Sequence, residues 1–127
     1  MRLYHGSPKR LKILVPKQTK GIGGFENKKA VFLCKTFNHA ALYAIGKNLK
    51  GKTIFVIIPN KLIIIGNKKP KAGYVYEVEI DAKKGINQQH SYNKQIRNFK
   101  IKKVYPKDYK NKIIYVKNKE ELMKYIK

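Results

Sequence analysis

Acidic residues are scarce in this chain: seven Asp and Glu stand against thirty Lys and Arg in 127 residues, a formal net charge of +23. A codon bias toward lysine ordinarily raises Glu as well, so the shortage of acids makes the positive charge a property of the protein. A field of that sign attracts polyanions such as nucleic acid, an anionic membrane surface or an acidic protein. Contacts from Lys and Arg to phosphate would be salt-dependent and largely independent of sequence. Cysteine is limited to Cys34, which excludes an internal disulfide, and no Cys or His pair stands at metal-ligand spacing, so no metal is expected. The longest apolar runs, Ile54 to Pro59 and Leu62 to Ile65, fall far short of the ~20 residues that span a bilayer. Met1-Arg2-Leu3-Tyr4-His5-Gly6 contains no apolar leader region. These absences lead us to expect a cytoplasmic protein without membrane insertion. With no internal repeat, low-complexity stretch or Pro/Ser-rich linker, residues 1–127 read as a single domain.

What is present is globular: 43% apolar residues, nine Tyr and five Phe. Arg2 to His5 reads as a strand, turning at Gly6-Ser7-Pro8. Leu11, Ile13 and Val15 alternate with polar residues and suggest a second extended piece, and Ala30 to Leu33 a third. From Thr36, a candidate N-cap, the period changes, with Phe37, Ala40, Ala41, Ala44 and Ile45 on one helical stripe and Gly51 near its stop. Thr53 to Ile58 and Lys61 to Ile65 read as β-branched strands joined at Pro59-Asn60. Tyr74 to Ile80 alternates, with Val75, Glu77 and Glu79 on the second face and Asp81 continuing it. Phe99 to Val104 and Ile113 to Val116 complete the strands. Asn118 with Glu121 resembles a capping box opening a helix over Lys119 to Ile126. The order predicts an α+β fold rather than a βαβ repeat.

Among residues able to carry chemistry, His5 ends the first strand beside Gly6, which permits close approach to the backbone, and Ser7, which adds a hydroxyl. Their adjacency in sequence does not make a hydrolytic triad. Gly21, Gly23 and Gly24 lack the strand before and the Lys-Ser or Lys-Thr helix after that a phosphate-binding P-loop needs, and read as a surface loop.

Leu3-Tyr4-His5-Gly6-Ser7 resembles the first signature of the diphtheria-toxin-like and poly-ADP-ribose-polymerase-like ADP-ribosyltransferases. Ala30-Val31-Phe32-Leu33-Cys34 followed by Phe37 to Ala44 is similar to their second, an apolar-aromatic strand and a helix leading to a Tyr. Gly73 to Glu79, with the later Gln89-His90-Ser91-Tyr92, is similar to the small bacterial rifampin ADP-ribosyltransferases, where a Gly-Tyr strand precedes a Gln-Ser-Tyr turn. The resemblance implies split β-sheets with a few short helices and a cleft between two short sheets that takes NAD as substrate. His5 would bond the adenosine ribose, Gly6 would hold the nicotinamide amide through its backbone, and Tyr43 and Phe32 would flank the nicotinamide ring, with Ser7 in the same strand. A flat cationic ring suits aromatic faces, and loss of nicotinamide leaves an oxocarbenium-like ribose that a carboxylate stabilises.

The chain departs from the polymerase-like pattern after Ser91-Tyr92-Asn93, where Lys94 and Gln95 stand in place of the family's Glu. In the rifampin-modifying relatives the acid follows the Gly-Tyr strand, which makes Glu79 and Asp81, together with Tyr43, the candidate catalytic residues; Glu77 reads as a solvated strand residue. Lys94, Arg97, Lys100 and Lys102 are the candidate nucleic-acid contacts. A non-catalytic module binding nucleic acid or a nucleotide on the same fold is the rival reading. An RNA 2′-phosphotransferase ranks lower, because only Arg2, Arg10 and Arg97 could supply its arginines.

Overall fold

The computed structural model describes residues 1–18, 29–47, 49, 54–58, 61–85 and 89–126. Among them the chain is α+β, with ten strands in two sheets, two α-helices and one 3₁₀ segment. The larger sheet contains β1 (Arg2–Ser7), β2 (Lys17–Gln18), β3 (Lys29–Cys34), β6 (Gly73–Glu79), β7 (Lys83–Lys84), β8 (Gln89–Tyr92) and β9 (Lys100–Val104). Its order is β7-β8-β3-β1-β6-β9, with β2 also paired to β3, and all its pairings are antiparallel. The smaller sheet has the order β10-β5-β4, from β4 (Ile54–Ile58), β5 (Lys61–Ile65) and β10 (Ile113–Val116), with β10 parallel to β5.

The β1–β6 ladder positions the site. It runs from Arg2↔Glu79 to Ser7↔Tyr74, so Leu3, His5 and Ser7 share a face with Val78, Tyr76 and Tyr74. Leu3, Tyr76 and Val78 are buried there with Leu14, Val31, Leu33 and Ile96. The opposite face carries helix α1 (Phe37–Gly46). Thr36 Oγ1 caps it by accepting from the His39 N–H at 3.3 Å, and it closes where the Lys47 N–H donates to the Tyr43 carbonyl at 2.9 Å. Ala40, Ala41, Ala44 and Ile45 pack downward onto Val75 and Val104 and onto Leu62 and Ile64 of β5. Ile63 points the other way, toward Val116 of β10 and Leu122 of α2 (Lys119–Ile126). Covered on both faces, β5 reads as a continuous apolar run.

Several expectations need correction. β1 continues through Ser7 instead of turning at Gly6. Leu11 to Val15 is not a strand: Leu14 is the buried residue, bonded both ways to the Ile96 backbone at 3.0 and 2.9 Å, while Val15 is exposed. The Tyr76 hydroxyl holds this segment, accepting from the Leu11 N–H at 2.5 Å and donating to the Lys9 carbonyl at 2.9 Å. Gln89 to Tyr92 is strand β8, held by β3 through Val31↔Tyr92 to Cys34↔Gln89, where the resemblance implied a turn. Gly73 and Val75 of β6 lie beneath α1, while Glu77 is half-buried and Glu79 exposed. Asn118 accepts from the Glu121 N–H at 3.0 Å, but the Glu121 carboxylate accepts from the Lys117 N–H at 3.1 Å rather than from the Asn118 N–H. The glycine loop, the Pro59-Asn60 turn and Gly51 lie outside the described residues.

Candidate functional site

β1 and β3 share one register pair, Tyr4↔Cys34. Next to it, the Phe32 carbonyl accepts a hydrogen bond from His5 Nδ1 at 2.7 Å, so a side chain takes an acceptor of β3 on the side of β1. A cleft of about 410 Å³ opens between the strands, within the larger sheet rather than between the two sheets as the resemblance implied. His5, Gly6, Ser7 and Phe32 line it, as do Lys9, Lys17 and Lys47 from three separate segments. Leu11, Ile13 and Val31 add apolar wall. The size and mixed lining are those of a small-ligand site.

His5 is neutral at physiological pH. Burial pushes it down to about 4, opposed by the bond to Phe32 and reinforced by the charges of Lys47 and Lys17. A carbonyl only accepts, so Nδ1 carries the proton and Nε2 remains an acceptor on a residue lining the cleft.

Gly6 answers to the helix. A Cβ built there would lie 2.0 Å from the Ala40 carbonyl oxygen, so what approaches this backbone closely is α1. Gly73 is similarly placed, 2.6 Å from the Ala44 oxygen. Gly6 therefore lines the cleft on one account and admits the helix on the other.

Tyr43 is half-buried on α1, its ring stacked on His39 at 5.3 Å and 23°, with Lys47 Nζ 5.5 Å from its centroid. The spacing 39, 43, 47 places these groups along one side of the helix, and Lys47 connects that row to the cleft. His39 is buried, its Nδ1 has no hydrogen-bond partner among the described residues, and burial lowers its pKa.

Both candidate acids stand near the Met1 ammonium, but they border different hollows. Glu79 opposes Arg2, on the face of the sheet opposite His5, with Oε1 3.2 Å from the Met1 ammonium and Oε2 3.6 Å from Arg2 Nε. Asp81 is exposed, 3.8 Å from the same ammonium. It lines a second hollow of about 410 Å³ with Lys29, Lys83, Ser91, Tyr92, Asn93 and Lys94. This hollow shares Ala30 with the cleft. The fold thus brings Asp81 to the Ser91-Tyr92-Asn93 segment.

Lys94, Arg97, Lys100 and Lys102 are all exposed, and Lys100 and Lys102 share one face of β9. Lys94 lies beside Asp81, Lys100 borders a shallow hollow with Glu77 and Glu79, Lys102 Nζ stands 5.6 Å from the Phe37 ring centroid, and Arg97 donates to Gln95 at 3.3 Å. Sequence reasoning missed the cleft lysines, Lys9, Lys17 and Lys47; only the four-residue step from Tyr43 to Lys47 carried a signal. Cys34 is buried and its thiol is pushed up to about 12, which keeps it from acting as a nucleophile. Among the described residues no cluster of three or more His, Cys, Asp or Glu could hold a metal ion, and no helix is long and apolar enough to cross a membrane.

Comparison with protein-family models, with curated proteins and with solved structures finds no match.

Proposed function

We propose that the cleft between β1 and β3 binds NAD as a substrate, and that the protein transfers its ADP-ribose to a nucleic-acid or protein acceptor, or to water. The observation that carries this reading is the convergence of a neutral His5, fixed by the Phe32 carbonyl, with three lysines from separate segments around one cleft. The pyrophosphate of NAD is dianionic and suits Lys9, Lys17 and Lys47; His5 Nε2 suits a ribose hydroxyl, which donates. In the transfer, the glycosidic C–N bond breaks with its electron pair leaving on nicotinamide. An acceptor oxygen then bonds the ribose carbon and loses its proton to a base. Asp81, which lines a hollow sharing Ala30 with the cleft, is the acid assigned to stabilise the cationic ribose and take that proton in this reading.

A second reading, a non-catalytic nucleotide-binding module, is favoured by the engagement of both acids with the Met1 ammonium and by the cationic lining of the cleft. Incubation with NAD followed by mass analysis of nicotinamide and of protein or nucleic-acid adducts separates them. Transfer predicts nicotinamide release that is lost in His5→Ala and Asp81→Asn and retained in Glu79→Gln. NAD binding without nicotinamide release supports the second reading, and absence of both binding and release refutes the two together.

A further inference from the structure

The stretch from Lys94 to Lys112 holds eight Lys and Arg and one acid, Asp108. It includes β9, an edge strand of the larger sheet, and the 3₁₀ segment Pro106–Lys112. At their junction Tyr105 is 41% exposed although it is among the larger apolar surfaces of the chain. Lys103 Nζ lies 5.4 Å and Lys107 Nζ 5.6 Å from its ring centroid. The main chain around it is fixed: Tyr105 is extended, Pro106 follows, and the Tyr105 carbonyl accepts from the Asp108 N–H at 3.1 Å. An exposed aromatic ring on a fixed backbone, attended by two flexible cations, can stack on a base while the ammonium groups meet the adjoining phosphates.

We propose that the junction of β9 and the 3₁₀ segment is a binding surface for single-stranded nucleic acid, with Tyr105 as the stacking platform and Lys103 and Lys107 as the phosphate contacts. A single strand is the occupant because a base must leave its duplex stack to lie on a ring. An anionic membrane fits less well, since the charged groups over the Tyr105 ring are Lys103 and Lys107 and the adjacent Val104 is buried and cannot enter a bilayer. The surface uses none of the cleft residues and stands independently of NAD binding.

The test is fluorescence anisotropy of a labelled single-stranded oligonucleotide of about twelve nucleotides, against a duplex of equal length, over about 50 to 200 mM salt. The single strand should bind more tightly. Tyr105→Ala should weaken it about tenfold, Tyr105→Phe should not, and Tyr115→Ala, at an equally exposed tyrosine on β10, should leave it unchanged. Removing both charges, Lys103→Gln with Lys107→Gln, should reduce the slope of log affinity against log salt by about 1.4. Unchanged thermal melting confirms that Tyr105→Ala is folded. Wild-type affinity in Tyr105→Ala, equal affinity for the duplex, or binding to anionic vesicles but not to the oligonucleotide overturns the proposal.

Discussion

Gly6→Ala tests a close approach between β1 and the backbone of α1. The added Cβ would stand 2.0 Å from the Ala40 carbonyl oxygen, 2.9 Å from the Ala44 nitrogen and 3.0 Å from the Ala40 carbonyl carbon. All three atoms are helix backbone, so no side chain can swing aside, and α1 must lift from β1 by roughly an ångström to restore ordinary contact. Overpacking of a core costs about 1–3 kcal/mol. With main chain as the obstacle the upper end applies, about 3 kcal/mol. Unfolding entropy near 2.1 cal/mol/K per residue gives about 0.27 kcal/mol/K for this chain, so Tm should fall by about 11 °C. Thermal melts followed by circular dichroism read this directly. Ala40→Gly in the same chain should not rescue it, because the obstructing oxygen belongs to the main chain. A fall of less than about 2 °C, or rescue by Ala40→Gly, would refute the contact. The result also bears on function, since loss of ligand binding in Gly6→Ala would then report the helix rather than a direct contact.

Two further outcomes follow from the cleft. His5 is lowered from 6.5 to about 4, so the unfolded chain binds its proton before the folded chain does. Its contribution is fully present above pH 6.5 and is lost as pH falls toward 4, reaching at most about 3 kcal/mol because the ring is partly exposed to the cleft. His39 acts in the same direction. Urea unfolding across this range should therefore show a shallower pH dependence in His5→Gln than in wild type, and identical slopes would contradict the assignment. Tyr76→Phe removes the hydroxyl shared by the Leu11 N–H and the Lys9 carbonyl and should cost about 1–3 kcal/mol. Faster hydrogen exchange at Leu11 should accompany that loss; exchange unchanged there would mean the hydroxyl does not hold the segment.

Legibility in the sequence followed how locally each feature is determined. The β-branched runs of β4, β5 and β10 and the alternation of β6 declared themselves as strands, and the 3.6-residue period after Thr36 declared α1. Gln89 to Tyr92 did not, because four mixed residues become a strand only through β3. Leu14 escaped the alternation of Leu11, Ile13 and Val15 because its position depends on Tyr76 and Ile96, more than sixty residues away. In the site, His5, Gly6, Ser7 and Phe32 share a cleft, and Tyr43 reaches it through Lys47. The separation of Glu79 from Asp81 was not legible. It depends on the chain leaving β6 and crossing toward β8, so that two acids only two residues apart share the Met1 ammonium but border different hollows. Nor could thirty similar cations be sorted by sequence into those at the cleft and those on the outer surface.

The measurement closest to the central claim is calorimetric titration of NAD into wild type, Lys47→Gln and His5→Gln, with Lys110→Gln as a charge-matched control on the outer surface. The account predicts one site per chain, weakened several-fold by either cleft substitution and by salt, and unaffected at Lys110. Binding equally reduced by Lys110→Gln would show that general charge attracts the nucleotide, and absence of NAD binding at millimolar concentration would contradict the account.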